Sequence, residues 1–267
     1  MNGVAPVLLY HSVRDQPTGQ FGPYTVSRSQ LATHLEQVTD LGFSTLTVGQ
    51  LIAHRAAGQP LPERTAVITF DDGFADFADN AWPELTQRGL AATLYVTAGT
   101  VGRRSEWLTP LGAGDLAMLD RSQLRDLAAD GCEIGAHSMS HPQLDCLTRP
   151  AATAEIRQSK DVLEQALGQS VDTFAYPHGY HNKAVKQLVA AAGYTSAAAV
   201  RNALSPADDD AFALARVTVM SDFGPERIAD VLTGRGAPTA RPGERWRTRL
   251  WRQERRRRHS RAERMAA

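Results

Sequence analysis

The sequence has little cysteine and no long hydrophobic run. Only Cys132 and Cys146 occur among its 267 residues, too few for a disulfide-stapled scaffold, and we interpret both as reduced thiols. No stretch approaches the roughly 18 consecutive apolar residues that indicate a membrane-spanning helix. Residues 1–13 lack the basic region and the small-residue cleavage site of an export signal. These absences predict a globular protein in the cytoplasm.

Net charge is also absent, with 29 basic and 29 acidic residues, but the charge is unevenly distributed. Between Arg241 and Arg264 eleven arginines stand against three glutamates, so this segment carries +8 and the rest of the chain is mildly acidic. From about residue 233 the composition shifts to glycine, proline and arginine. We therefore predict one compact catalytic domain over residues 1–232 and a basic, arginine-rich tail over residues 233–267.

The tail has three interpretations. It can be a solvated extension, or it can attach to anionic lipid, since Trp246, Leu250 and Trp251 alternate with arginines as in an interfacial helix. Nucleic-acid binding is disfavoured because the acidic body offers no extended basic face. Membrane-surface contact through residues 241–264, at the inner face of the membrane, is the hypothesis retained alongside the solvated tail.

Short apolar runs alternate with helical patterns along the chain. Strands are predicted at Val4–Tyr10, Phe43–Leu46, Ala66–Phe70, Thr93–Val96, Glu133–Ala136, Thr173–Tyr176, Thr195–Val200 and Ala213–Val219. Helix starts are indicated by the capping-box pairs Ser27/Gln30, Thr47/Gln50 and Asp120/Gln123. Because parallel strands need crossover connections, this alternation predicts a parallel α/β fold, and seven or eight repeats favour a barrel.

Candidate chemistry lies at the ends of four of the predicted strands. Asp71 and Asp72 end an apolar strand at a glycine turn, where one can bind a metal while the other faces substrate, or both can be solvated turn acids. His137 and His141 stand four apart, which places both on one face if the turn is helical and suits a single metal ion. Residues 176–179, Tyr-Pro-His-Gly, and the pair Tyr10-His11 are weak signals when taken alone.

Together these motifs resemble the polysaccharide deacetylase family, also called the NodB-homology or carbohydrate esterase family 4 group. Thr-Phe-Asp-Asp-Gly at 69–73 resembles its first motif, His-Ser-Met-Ser-His at 137–141 its second, and residues 174–179 occupy the third. The resemblance covers roughly residues 4–220. It implies a distorted (β/α) barrel of seven or eight strands, related to the TIM barrel, with the site at the carboxyl ends of the strands.

The resemblance also implies roles for individual residues. Asp72, His137 and His141 would hold a divalent metal, usually Zn²⁺, with Co²⁺, Ni²⁺ or Mn²⁺ as alternatives. Asp71 would be the general base that takes a proton from the attacking water. A backbone N–H of the region around Tyr176 and Pro177 would bind the oxyanion.

Two positions depart from the family pattern. The third motif often carries an arginine that orients the base, but Ala175 stands there, and Arg216 is our candidate substitute. The last motif usually supplies a histidine as general acid, and the late strand around Arg216 has none. A family subset without that histidine carries a Tyr-His pair after its first strand, so His11 is the first replacement and His178 the second.

The predicted function is therefore metal-dependent removal of an acetyl group from an N-acetylated sugar, in a polysaccharide, an oligosaccharide or a lipid- or nucleotide-linked precursor. Two alternatives stay open. One is hydrolysis of another non-peptide C–N amide bond. The other is a catalytically weak carbohydrate-binding homologue, suggested by the missing arginine and histidine.

Overall fold

A computed structural model describes residues 3–241, 243, 248 and 251–257. Its ten strands are β1 Val7–Tyr10, β2 Ser12–Val13, β3 Thr25–Val26, β4 Ser44–Leu46, β5 Thr65–Phe70, β6 Thr93–Val96, β7 Glu133–Ala136, β8 Thr173–Ala175, β9 Ser196–Ala198 and β10 Val217–Thr218. The α-helices are α1 Arg28–Asp40, α2 Val48–Ala56, α3 Trp82–Gln87, α4 Arg121–Ala129, α5 Arg149–Leu167, α6 Lys183–Ala191 and α7 Pro225–Leu232.

Eight of the strands form one parallel sheet. Its order is β10-β1-β5-β6-β7-β8-β9, and β4 pairs with the first half of β5. A parallel bridge from Ala198 to Leu214 joins β9 to the segment that leads into β10, so the sheet curls back on itself. The distorted parallel barrel that was predicted is confirmed.

The sequence also predicted how the main helices begin. The side chains of Ser27, Thr47 and Asp120 each accept a hydrogen bond from the backbone N–H three residues on. The glutamine at that position in turn accepts one from the backbone N–H of the capping residue, as a capping box requires. The last predicted strand is shorter than expected, because only Val217–Thr218 pairs with β1.

Side chains alternate between the two faces of the sheet along each strand, and both faces are buried because each packs against a hydrophobic core. Leu8, Ile68 and Phe174 pack with the helices in the larger core. Val67 and Tyr95 point to the opposite face and pack with their neighbours inside the barrel. On β5 the inner-face positions after Val67 are Thr69 and then Asp71, which belongs to the candidate site.

The described residues after α7 pack against the rest of the protein. Ala240 donates to the Leu204 carbonyl and is buried against Ala203 and Ala215, and residues 251–257 are helical and contact the rim of the candidate site. The predicted boundary at residue 232 coincides with the end of α7 and stays a prediction. Trp246 and Leu250 lie outside the described residues, and membrane contact gains no support. In the part of the chain that the structure describes, no helix combines the length and the apolar character needed to cross a bilayer.

Candidate active site

The residues singled out from the sequence meet at one edge of the sheet. Asp71 and Asp72 follow β5, His137 follows β7, and residues 176–179 follow β8. His11 follows β1, the neighbour of β5. Because the strands are parallel, their carboxyl ends lie at the same edge, where barrels of this type carry their sites.

Asp72, His137 and His141 form a group of metal-binding geometry. Their ligand atoms all lie within 4.8 Å of one another, and Nε2 of His141 and of His137 are 3.3 Å and 3.6 Å from Oδ1 of Asp72. Two ligands at about 2.1 Å from a tetrahedral zinc ion stand about 3.4 Å apart. Oδ1 of Asp72 is buried with no hydrogen-bond partner among the described residues. The three side chains therefore fit one divalent cation.

The protonation states of these groups also suit a cation. Nδ1 of His137 lies 2.8 Å from the Ala175 carbonyl oxygen; because a carbonyl only accepts, Nδ1 carries the hydrogen and Nε2 offers its lone pair. Burial lowers the pKa of His137 to about 4. Burial alone would raise the pKa of Asp72, but the neighbouring His141 imidazole holds it below its usual value. A neutral imidazole and a carboxylate are the forms that bind metal.

Left-handed backbone is concentrated here. Among the described residues six non-glycine residues have positive φ, and four belong to this site, namely Asp72 (78°), Ser138 (64°), His141 (62°) and His178 (58°). The condition of a helical turn over residues 137–141 is not met: the segment is a non-helical loop, and positive φ accompanies the approach of the two imidazoles instead. Such conformations cost about 1–3 kcal/mol each and persist only where surrounding contacts fix them.

Glu155 of α5 supplies part of that support, and the sequence reasoning missed it. Its carboxylate accepts from the backbone N–H groups of Met139 and Ser140, both at 2.9 Å, and from the Ser140 hydroxyl at 2.6 Å. A glutamate in a long amphipathic helix carries no local signal that it will hold a loop 15 residues away. It fixes the loop that bears both histidines.

Asp71 and Arg216 form a buried two-pronged ion pair. The Nη1–Oδ1 and Nη2–Oδ2 distances are 2.6 Å and 2.7 Å, and the residues are 3% and 0% exposed. Arg216 immediately precedes β10 and also contacts the Thr69 hydroxyl at 3.2 Å. Burial alone would raise the pKa of Asp71, but the Arg216 guanidinium lowers it below its usual value. The carboxylate is thus held ionised and in one orientation.

Asp71 and Asp72 reach the same imidazole although they are consecutive. Nε2 of His137 lies 3.9 Å from Oδ2 of Asp71 and 3.6 Å from Oδ1 of Asp72. Adjacent side chains diverge along an extended segment, but the chain leaves β5 at Phe70 and Asp72 is left-handed. One carboxylate can therefore bind a cation while the other faces the same space.

His11 lies beside the carboxylates in an aromatic setting. Its ring packs edge-on against Phe21 and Tyr24, with centroids 6.1 Å and 5.2 Å away. Burial lowers the pKa of His11, while the charges of Asp72 and Asp71 oppose that shift. Its Nδ1 is buried and has no hydrogen-bond partner within the described ranges.

Asp76 anchors the segment after His11, and its ionisation should destabilise the fold. It accepts from the Ser12 hydroxyl at 2.5 Å and the Val13 N–H at 3.2 Å. Burial raises the pKa of Asp76 to about 6 against the opposing effect of Arg14, with Asp79 adding to the rise. The folded state therefore binds the proton more tightly than the unfolded state, and the stabilisation from the protonated Asp76 is lost as pH rises through about 6.

The free energy of unfolding of the wild type should therefore fall by about 1 kcal/mol between pH 5 and pH 8 because of Asp76. We expect the Asp76→Asn variant, followed by urea unfolding, to lack this decrease. An unchanged pH dependence in the variant would contradict this.

His178 lies against a metal-site histidine. Its ring centroid is 4.6 Å from that of His141, edge to face, and its ring also stacks on Tyr180 with centroids 5.8 Å apart. Burial lowers the pKa of His178 to about 3, and His141 and His137 add to the shift. His178 therefore lies next to the candidate metal group.

Neither Tyr176 nor Pro177 itself offers a free backbone N–H, and an oxyanion donor from the region around them stays a prediction. The Tyr176 N–H donates to the Ala198 carbonyl at 3.0 Å, and its hydroxyl donates to the Phe212 carbonyl at 2.9 Å. Pro177 has no N–H and begins the short 3₁₀ turn Pro177–Gly179. Tyr176 instead ties β8 to β9 and fixes the start of the turn that carries His178.

Trp107 is a further site residue that was not singled out. Its ring lies 5.4 Å from that of His141 at an interplanar angle of 30°, and it belongs to the 3₁₀ turn Glu106–Leu111 in the long connection after β6. Long loops often border functional sites, and this connection brings Trp107 to His141. Its composition gave no means of selecting this tryptophan.

The profile of the polysaccharide deacetylase family matches residues 58–197, about half of the chain. The match includes both aspartates and both metal-site histidines. The chain therefore belongs to the polysaccharide deacetylase family, as the resemblance implied.

Two relatives and two solved structures show the extent of the similarity. YxkH of Bacillus subtilis is 25% identical over 214 residues, 80% of this chain and 71% of YxkH. The poly-β-1,6-N-acetyl-D-glucosamine N-deacetylase of Staphylococcus aureus (strain MRSA252) is 24% identical over 179 residues, 64% of this chain; the match spans only 59% of that relative. The Streptococcus pyogenes deacetylase PplD in complex with acetate superposes with a TM-score of 0.73 at 22% identity, over 87% of this chain and 99% of PplD. IcaB from Ammonifex degensii superposes at 0.72 and 22% identity, over 88% and 98%.

Proposed function

We propose that this protein hydrolyses the acetamide of an N-acetylated sugar in a glycan, with a divalent cation, zinc in the first instance, held by Asp72, His137 and His141. The observation that carries the proposal is the approach of these three side chains to one another beside the paired carboxylate of Asp71. Family membership supports the reaction, and the S. aureus relative supports an N-acetylglucosamine polymer as the substrate class.

A bound divalent cation would supply Lewis-acid chemistry, polarising the acetyl carbonyl and making water a better nucleophile. Asp71 accepts the proton of the attacking water. Arg216 is the positioning residue for this base, since its two hydrogen bonds hold the carboxylate ionised inside the barrel. Collapse of the tetrahedral intermediate releases acetate and requires a proton on the departing amine.

His11 is our first candidate for delivering that proton and His178 the second. We expect His11→Ala to reduce kcat by about 10²–10⁴ without loss of bound metal, and His178→Ala to reduce it by about tenfold. Steady-state acetate release with parallel metal analysis measures both. His54→Ala, in the last turn of α2, is the control and should behave like the wild type. A wild-type kcat in the His11 variant would remove His11 from the mechanism. A larger decrease of kcat in the His178 variant than in the His11 variant would assign proton delivery to His178.

The proposed function is tested by assaying acetate release from N-acetylglucosamine oligomers and polymers with the metal-loaded protein. Acetate and free amine in equal amounts are expected. Release of a different amine product from another C–N amide, without acetate, would support the alternative hydrolase. Saturable sugar binding without any product would support the binding homologue and overturn the proposal.

A further inference from the structure

The helical segment 251–257 is fixed to the body through a buried carboxylate. Asp145, in the 3₁₀ turn Leu144–Cys146 that follows the metal-site loop, is 1% exposed. Arg255 binds it with two parallel hydrogen bonds of 2.7 Å and 2.8 Å, and Arg252 adds a third at 2.9 Å. Arg255 is itself only 5% exposed. A two-pronged pair between residues 110 positions apart is a specific contact and not a solvated charge run.

The same segment contacts the loop that carries His178. The guanidinium carbon of Arg255 lies 3.6 Å from the centroid of the Tyr180 ring, a close cation–π contact. The Trp251 indole N–H donates to the Tyr180 hydroxyl at 3.3 Å, and Arg252 donates to the His181 carbonyl at 2.9 Å. The segment thus joins two loops at the rim of the site.

A continuous series of ring contacts leads from Arg255 to the metal group. Arg255 covers Tyr180, Tyr180 stacks on His178, and His178 meets His141 edge to face. His178 is left-handed, with φ 58°, a conformation that needs support from its surroundings. The contact with Tyr180 can provide part of that support.

We propose that Arg255 is a positioning residue of the active site, which holds Tyr180 against His178 and so keeps His178 in place beside His141. The proposal rests on the proposed function, because turnover is its first readout. It assigns to the basic C-terminal segment a part in the reaction that neither lipid binding nor simple solvation would give it.

Steady-state kinetics of the full chain test the proposal. We expect Arg255→Ala and Tyr180→Leu each to lower kcat by about tenfold with KM and bound metal within twofold of the wild type. Tyr180→Phe keeps the ring and should recover most of the rate lost in Tyr180→Leu. The double variant Arg255→Ala/His178→Ala should lose no more than His178→Ala alone, since Arg255 acts through His178. Arg235→Ala, which breaks an exposed ion pair with Asp230, is the matched control and should leave kcat unchanged.

A second measurement is independent of turnover. In protein with ¹⁵N-labelled histidine, the imidazole signals of His178, assigned through His178→Gln, should shift in Arg255→Ala and Tyr180→Leu and stay in place in Arg235→Ala. If the wild type releases no acetate, the proposed function fails while these signals still report on the positioning. Three outcomes would each overturn the role of Arg255. The His178 signals could stay unchanged, kcat of the double variant could fall about tenfold below that of His178→Ala, or kcat of Arg255→Ala could fall only in proportion to the folded fraction.

Discussion

Replacing His137 by alanine should give a folded protein that retains no stoichiometric divalent metal and releases no measurable acetate. His137 is 1% exposed and offers Nε2 within 3.6 Å of Asp72 Oδ1. Without it a cation would keep two protein ligands, fewer than the three that catalytic zinc sites have. Metal content after dialysis, measured by inductively coupled plasma mass spectrometry, and acetate release are the two readouts.

The alanine variant also leaves the Ala175 carbonyl without its buried donor, which costs about 1–3 kcal/mol. His137→Asn is therefore the companion variant, because its side-chain amide can donate to the same carbonyl. Both variants should lose metal, and wild-type protein treated with a chelator should lose activity and regain it on adding Zn²⁺. Full metal occupancy in either folded variant would refute the ligand set.

Replacing Arg216 by methionine should be the most destabilising change near the site. The substitution leaves the Asp71 carboxylate buried without its cation, and breaking a buried ion pair from one side typically costs about 3–5 kcal/mol. Acetate release should fall with it, because nothing then holds Asp71 in the orientation of a base. Urea unfolding at neutral pH gives the change in the free energy of unfolding.

The double variant Asp71→Asn/Arg216→Met separates the two effects. With both charges removed no uncompensated ion is buried, so we expect it to be more stable than Arg216→Met. It should nevertheless be inactive, because the base is gone. If the decrease in the free energy of unfolding of the double variant equals the sum of the decreases in Asp71→Asn and Arg216→Met, the two residues are not coupled and the ion pair is refuted.

Much of this arrangement could be predicted because it follows from local pattern. Period-two alternation places Val67, Thr69 and Asp71 on the inner face of one strand, and polar residues at a strand's carboxyl end belong to the rim of a parallel barrel. Arg216 was selected because it lies near the end of the predicted strand Ala213–Val219, although in the structure it immediately precedes β10. Its contact with Asp71 is the geometry that this reasoning required.

The rest depends on contacts that a linear pattern does not encode. Nothing local indicates that the loop of His141 is left-handed instead of helical, or that the Tyr176 N–H is already bonded to Ala198. The pairing of Arg255 with Asp145 joins residues 110 apart, and an arginine in a run of arginines looks solvated unless its partner is known. Tertiary packing decided each of these points.

The place of Arg216 bears on how sequences of this kind are judged. A motif check that requires an arginine at the position of Ala175 would set the chain aside as a dead homologue. Yet the Arg216 guanidinium, immediately before β10, pairs with both carboxylate oxygens of Asp71, while the Ala175 carbonyl contacts the His137 imidazole. A search for active members should therefore ask whether any part of the barrel can place an arginine guanidinium against the base. It should not require that arginine at one position of the third motif.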